Sequence, residues 1–218
     1  MKTVAKMIKE FGEDKMATKK AFIENRTQLE KKFASGYLGQ EGLVEIIRLN
    51  LDELEARSER KAAEVLQVLT QVVERERYKI RSLEKQVTAD DLAELTLIDT
   101  MKVTEQEFKY YFRKFEQKPL ALKKMAEIHS KHYLAIFPCP RSKKAIFEEW
   151  AEEAHKAIEY INHTLKYSRA FEHDLLVDRL MLTNFDNFLT ELREEYEKTE
   201  AAIDKESQTE NDKIKGGG

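Results

Sequence analysis

Apolar residues return every third or fourth position over most of this chain, the spacing that gathers them on one face of an α-helix. Residues 43–86 show it most fully, with neither Gly nor Pro. Their stripe reads Leu43, Ile47, Leu51, Leu54, Ala62, Val65, Leu69, Val72, Ile80 and Leu83, continues to Val87, and has Ser58 and Glu76 as its polar members. It comes back into register every eleven residues, as in Leu43, Leu54 and Val65. That period, about 3.67 residues per turn, predicts a nearly straight pairing in place of the left-handed supercoil of strict heptads. A helix of this length spans roughly 65 Å at about 1.5 Å per residue, and its stripe must be covered by another helix. Leu43, Ile47, Leu51, Leu54, Val65, Leu69, Val72, Ile80 and Leu83 are therefore the candidate association stripe.

Before it, residues 1–33 carry Val4, Ile8, Phe11, Phe22, Leu29 and Phe33 at helical spacing, interrupted by Gly12 and by a polar gap at residues 14–20. Gly36, Gly39 and Gly42 mark a turn, which predicts that the second helix folds back on the first. Past residue 87 the pattern breaks into shorter pieces. Thr88 caps a helix with Asp90 and Asp91 in its first turn. Thr104 and Glu107 form a capping box, and Pro119 fits a first helical turn. Phe137-Pro-Cys-Pro-Arg141 is an extended break. A helix from Ser142 to about Leu165 carries Ile146, Phe147, Trp150, Ala154, Ile158 and Ile161. A last one carries Phe171, Leu175, Leu176, Leu180, Leu182, Phe185, Phe188, Leu189, Leu192 and Tyr196.

The expected architecture is all-α: a long antiparallel helical hairpin or coiled-coil arm over 1–87, a short-helix module over 88–137, a C-terminal helical pair over 138–200 and a charged flexible tail over 201–218. Composition agrees. Seven Gly and three Pro in 218 residues leave little material for sheets or phosphate loops, and 36% charged residues suit helices with one buried stripe and a broad wet face. A net charge of −3 gives no global attraction to nucleic acid or anionic lipid. The single cysteine, Cys139, excludes an intrachain disulfide and fits a reducing compartment. No apolar run approaches the ~20 residues of a membrane span, and the Lys-punctuated N-terminus lacks the core of a secretion signal. These readings place the protein in the cytoplasm or in an assembly formed there.

Chemistry is sparse. Glu152 and His155 match half of a di-iron carboxylate site, but no second Glu-x-x-His accompanies them. His129, His132 and Cys139 lack a fourth zinc ligand. No Ser/His/Asp or Cys/His arrangement supports nucleophilic catalysis. We therefore expect no enzyme activity, no metal and no cofactor. One segment, residues 109–124, interleaves aromatics with Lys109, Arg113, Lys114, Lys118, Lys123 and Lys124, a combination that can hold phosphates and stack bases. The alternative is that Phe108, Tyr111, Phe112 and Phe115 form a core face with the cations on the wet side.

The run Phe33-Ala-Ser-Gly-Tyr-Leu-Gly-Gln-Glu41, with Val87-Thr-Ala-Asp-Asp-Leu92, Val103-Thr-Glu-Gln-Glu-Phe108 and Met125-Ala-Glu-Ile-His129, resembles small coiled-coil proteins of bacteriophages and prophages of Gram-positive bacteria. The aromatic Lys109-Tyr-Tyr-Phe run departs from that pattern, and the helices after Arg141 lie outside it. The resemblance implies a non-enzymatic structural or virion-assembly protein, scaffolding-like or a minor virion component, that acts by helix–helix association with itself or another helical protein. It places the protein in the host cytoplasm or the virion. The alternative is a cytoplasmic regulator that binds nucleic acid through 109–124. No membrane is expected to take part.

Overall fold

A computed structural model describes the backbone of residues 1–163 and 171–215, with side chains for 1–163 and 176–202. Among the described residues there are seven α-helices and no strand. They are α1 (Lys2–Ala34), α2 (Gln40–Ser82), α3 (Ala89–Thr100), α4 (Glu105–Lys114), α5 (Pro119–His132), α6 (Lys143–His163) and α7 (Phe171–Lys215). The all-α expectation holds. Helix α7 is continuous to Lys215, beyond the point where the charged sequence was expected to loosen. The side chains of Phe171 and Leu175, those of the tail from Ile203 onward, and residues 164–170 and 216–218 lie outside the described residues. The chain divides into two compact units: Met1–Val73 with Trp150–Glu191, and Glu74–Glu149 with the chain from Leu192 onward. Helices α2, α6 and α7 contribute to both.

In the first unit, α1 ends in a Schellman motif. The Gly36 N–H donates to the Phe33 carbonyl at 3.0 Å, and the Tyr37 N–H to the Lys32 carbonyl at 3.0 Å. Gly36 adopts φ +77°, a conformation that only Gly takes without strain. The chain then reverses. Asp14 receives Arg57 at 2.8 Å and Ser58 receives Lys15 at 2.6 Å, which fixes α1 antiparallel to α2. One turn at a time, this register sets Phe11 level with Ala62, Ile8 with Val65 and Val4 with Leu69, and all six are buried. Gly12 does not break α1. Leu182 of α7 packs where its Cβ would stand, 2.7 Å from the nearest methyl carbon.

The polar gap of α1 is not a gap in the packing. Lys15 and Lys19 are both buried. Lys15 donates to Ser58 of α2 and, at 2.7 Å, to the Asn162 carbonyl of α6. The Ser58 hydroxyl in turn donates to Asn162 Oδ1 at 2.9 Å. Lys19 pairs with Asp178 of α7 at 2.7 Å, and the Tyr160 hydroxyl of α6 donates to the other Asp178 oxygen at 3.1 Å. Four helices thus meet in one polar layer, with the apolar residues of α1, α2 and α6 (Ala154, Ala157, Ile158, Ile161) buried around it.

The second unit is organised by helix caps. Thr88 with Asp91, and Thr104 with Glu107, form reciprocal capping boxes at the starts of α3 and α4, and Pro119 occupies the first turn of α5. The core holds Leu95, Ile98, Phe108, Phe112, Phe115, Met125 and Ile128. Tyr133 and Phe137 close it, with Tyr133 donating to the Met101 carbonyl and receiving the Val103 N–H.

Removing one partner of the buried Lys19–Asp178 pair strands a charge, so Asp178→Leu alone should destabilise the protein by about 3–5 kcal/mol. Lys19→Met with Asp178→Leu removes both charges and should recover most of that loss. Chemical denaturation of the three proteins measures both effects.

Candidate functional site

The nine stripe residues of α2 fall into three environments. Val65 and Leu69, 0% and 4% exposed, belong to the chain's own core. This corrects the expectation that they form an association surface. Both are enclosed with Val4, Ile8 and Phe11 in the apolar core of the first unit. Leu43, Ile47, Leu51 and Leu54, together with Val72 and Ile80, are only half-buried, and Leu83 is exposed. Near its described end, α6 reaches the level of the Lys15–Ser58 contact through Asn162. Toward the α1–α2 turn, half-buried Leu29 accompanies exposed Phe33 (41%), Tyr37 (88%) and Val44 (60%).

The basic aromatic segment is placed differently from a base-stacking surface. Phe108, Phe112 and Phe115 lie in the core and Tyr111 is half-buried, which leaves Tyr110 as the exposed ring. Four of its six cations meet carboxylates: Lys109 with Glu105 at 2.5 Å, Lys114 with Glu94 at 2.6 Å, Lys118 with Asp91 at 2.7 Å, and Lys124 with Glu127 at 3.6 Å and Asp99 at 3.8 Å. Arg113 and Lys123 are exposed. Asp91, although desolvation opposes its charge, is held down to about 2 by Lys118 and by the Thr88 hydrogen bonds.

The metal-like pairs are separated by their bonds. Glu152 and His155 are exposed on α6 and engage Lys156 at 2.7 Å and Glu159 at 3.3 Å. His129 is buried, with Nε2 donating to the Phe137 carbonyl at 2.7 Å, whereas His132 turns to Asp99 at 2.9 Å. No group of three or more His, Cys, Asp or Glu side chains suited to a metal occurs among the described residues. No helix among them is long and apolar enough to cross a membrane.

Sequence reasoning missed a cleft of about 790 Å³ in the second unit. Ile80, Leu83, Phe112, Pro119, Leu122 and Pro140 supply its apolar walls. Glu116 stands in the wall, accepting the Lys143 N–H of α6 at 2.6 Å. Burial drives the Glu116 carboxyl up to about 7, against the pull of that hydrogen bond and of the Lys143 charge. Cys139 also lines the cleft, its thiol pushed up by burial. The only signal in the sequence was that Glu116 is the lone acid within a basic run, and that fact does not reveal its burial.

No protein family, curated protein or solved structure matches this chain.

The raised Glu116 carboxyl has a pH consequence. Between about pH 4.5 and 7 the unfolded chain ionises this group while the folded chain keeps it protonated, so its contribution to stability falls as pH rises through that window. Asp91 acts in the opposite sense, but below that range. Glu116→Gln keeps an acceptor for the Lys143 N–H and removes the titration. Its stability relative to wild type should therefore improve by about 1–3 kcal/mol between pH 4.5 and pH 8. Denaturation at both pH values tests this, and a relative stability independent of pH would contradict it.

Proposed function

We propose that this is a non-enzymatic structural or assembly protein acting through helix–helix association, of the scaffolding-like or minor-virion kind that the resemblance to phage coiled-coil proteins implies. One observation carries the association reading. The α2 stripe is buried over Ala62, Val65 and Leu69 but only half-covered over Leu43, Ile47, Leu51 and Leu54. Each Leu, Ile or Val is worth roughly 1.5–3 kcal/mol on full burial. Several half-open ones beside Phe33 and Val44 make a surface that a second helical chain, of this protein or another, would close, less the ordering and desolvation costs of association. Long helices with part of an apolar stripe only half-buried suit a role in which geometry and contact, not chemistry, are the product.

The reading in which residues 109–124 hold nucleic acid is less supported, because most of its cations are engaged by acids and its Phe rings are buried. It would show itself as DNA binding that weakens steeply with salt and is lost in Arg113→Ala with Lys123→Ala.

Phe33 and Val44 are exposed, so charging them leaves the intrachain core intact. The wild type should scatter light as more than one chain of 25.6 kDa, or as a complex with a helical protein encoded by a neighbouring gene. Phe33→Glu with Val44→Glu should fall to the mass of one chain with unchanged helical circular dichroism. A wild type that stays at 25.6 kDa at high concentration and binds no such partner defeats the proposal.

A further inference from the structure

The cleft in the second unit has features that association does not use. Its volume of about 790 Å³ falls within the roughly 300–1,000 Å³ of small-molecule sites, and its exposed wall is mostly apolar with charged side chains set around it. Those charged groups are not equivalent. Lys143 is buried, pairs with Glu200 at 2.9 Å and lies 4.8 Å from the Tyr196 ring centroid. Lys79 also reaches Glu200, at 2.8 Å. Arg141 binds Glu149 and Glu195, and Lys144 stands 3.9 Å from Glu84. Each of these cations is answered by an acid of the chain. Lys123 lines the cleft and is exposed.

The acids differ. Glu84 and Glu200 have cationic partners, whereas Glu116 has the single Lys143 N–H and no side-chain ion pair among the described residues. It is also the most enclosed of the three; the Lys143 charge acts on it only from beyond ion-pair distance, and a poorly solvated carboxylate without a directly bonded cation is costly. Two of the first backbone N–H groups of α6 are already engaged. Glu116 already takes the Lys143 N–H, and the Ser142 hydroxyl takes that of Ala145 at 3.1 Å. An ammonium bonded directly to Glu116 supplies a contact that no cation of the described residues makes.

We infer that the cleft binds an amphiphilic amine, its apolar body against Ile80, Leu83, Phe112 and Leu122 and its ammonium donating to the Glu116 carboxylate. Ile80 and Leu83 belong to the α2 stripe, but the cleft shares no residue with the 43–54 segment on which the association reading rests. The raised carboxyl gives the site a pH response, with affinity rising as Glu116 ionises near neutrality and falling again only when the amine loses its proton.

Cys139 lines the cleft and is the chain's only cysteine, so its alkylation by N-ethylmaleimide reports occupancy. The full-length protein at mildly alkaline pH would be alkylated in the presence of n-decylamine, n-decanoate or n-decanol, each below its aggregation threshold. We expect decylamine to slow alkylation saturably, with decanoate and decanol at least tenfold weaker. Glu116→Gln should raise the decylamine half-point at least tenfold while the helical circular dichroism is kept. Ala126→Trp places a ring at an exposed position on the cleft wall and should abolish protection. Three results would each overturn the inference: no protection by decylamine, equal protection by decanoate, or a wild-type half-point in folded Glu116→Gln. If Glu116→Gln loses its fold, Ala126→Trp decides, and protection retained in that variant would overturn the assignment.

Discussion

The first unit depends on a polar layer sealed inside an otherwise apolar bundle. Lys15, Ser58 and Asn162 meet at one level, and Lys19, Tyr160 and Asp178 at the next. A layer of this kind adds little net stability over an apolar one, because desolvating two lysines consumes most of what their bonds return. What it provides is register. A shift of α1 by one turn against α2 would set Lys15 against an apolar residue and leave its ammonium without an acceptor, at a cost the rest of the bundle cannot offset. We take this as the reason why helices of low sequence complexity, rich in Glu and Lys, settle into one alignment. The buried residues Phe11, Ile8, Ala62 and Val65 all lie on one side of this layer.

The second unit reaches definition by a different route. Its helices are short, and each is started by an explicit device: two capping boxes and a first-turn proline. Short helices gain little from propensity alone, so the caps and a dense aromatic core share the task. Phe108 packs within 5.6 Å, centroid to centroid, of His129, Tyr133 and Phe137. The cations around this core serve the fold, since Lys118 steadies Asp91 at the start of α3 and Lys114 holds Glu94.

Much of this was legible in the sequence. The 3–4 periodicity with scarce Gly and Pro predicts an all-helical chain, the glycine cluster predicts the reversal between α1 and α2, and the Thr-x-x-Asp and Thr-x-x-Glu patterns predict the caps. Tertiary matching was not legible. Nothing local says that the lysines at 15 and 19 find Ser58 and Asp178, 43 and 159 residues away, so the polar stretch of α1 reads as a gap. Gly12 reads as an interruption for the same reason, because the Leu182 contact that fills its space comes from the far end of the chain. The cleft and its carboxyl were invisible because Glu116 acquires its environment from α2, α5 and α6 together.

The account's central claim is that one continuous stripe on α2 is closed by its own chain around Val65 and left open toward Leu43. Hydrogen exchange read segment by segment across a dilution series tests it most directly. The account predicts strong protection of residues 62–69 at every concentration. Residues 40–54 should be weakly protected in the dilute chain and gain protection as concentration rises or a helical partner is added. Equal, concentration-independent protection of the two segments in the dilute chain would mean that the chain itself closes the whole stripe, and the claim would fail.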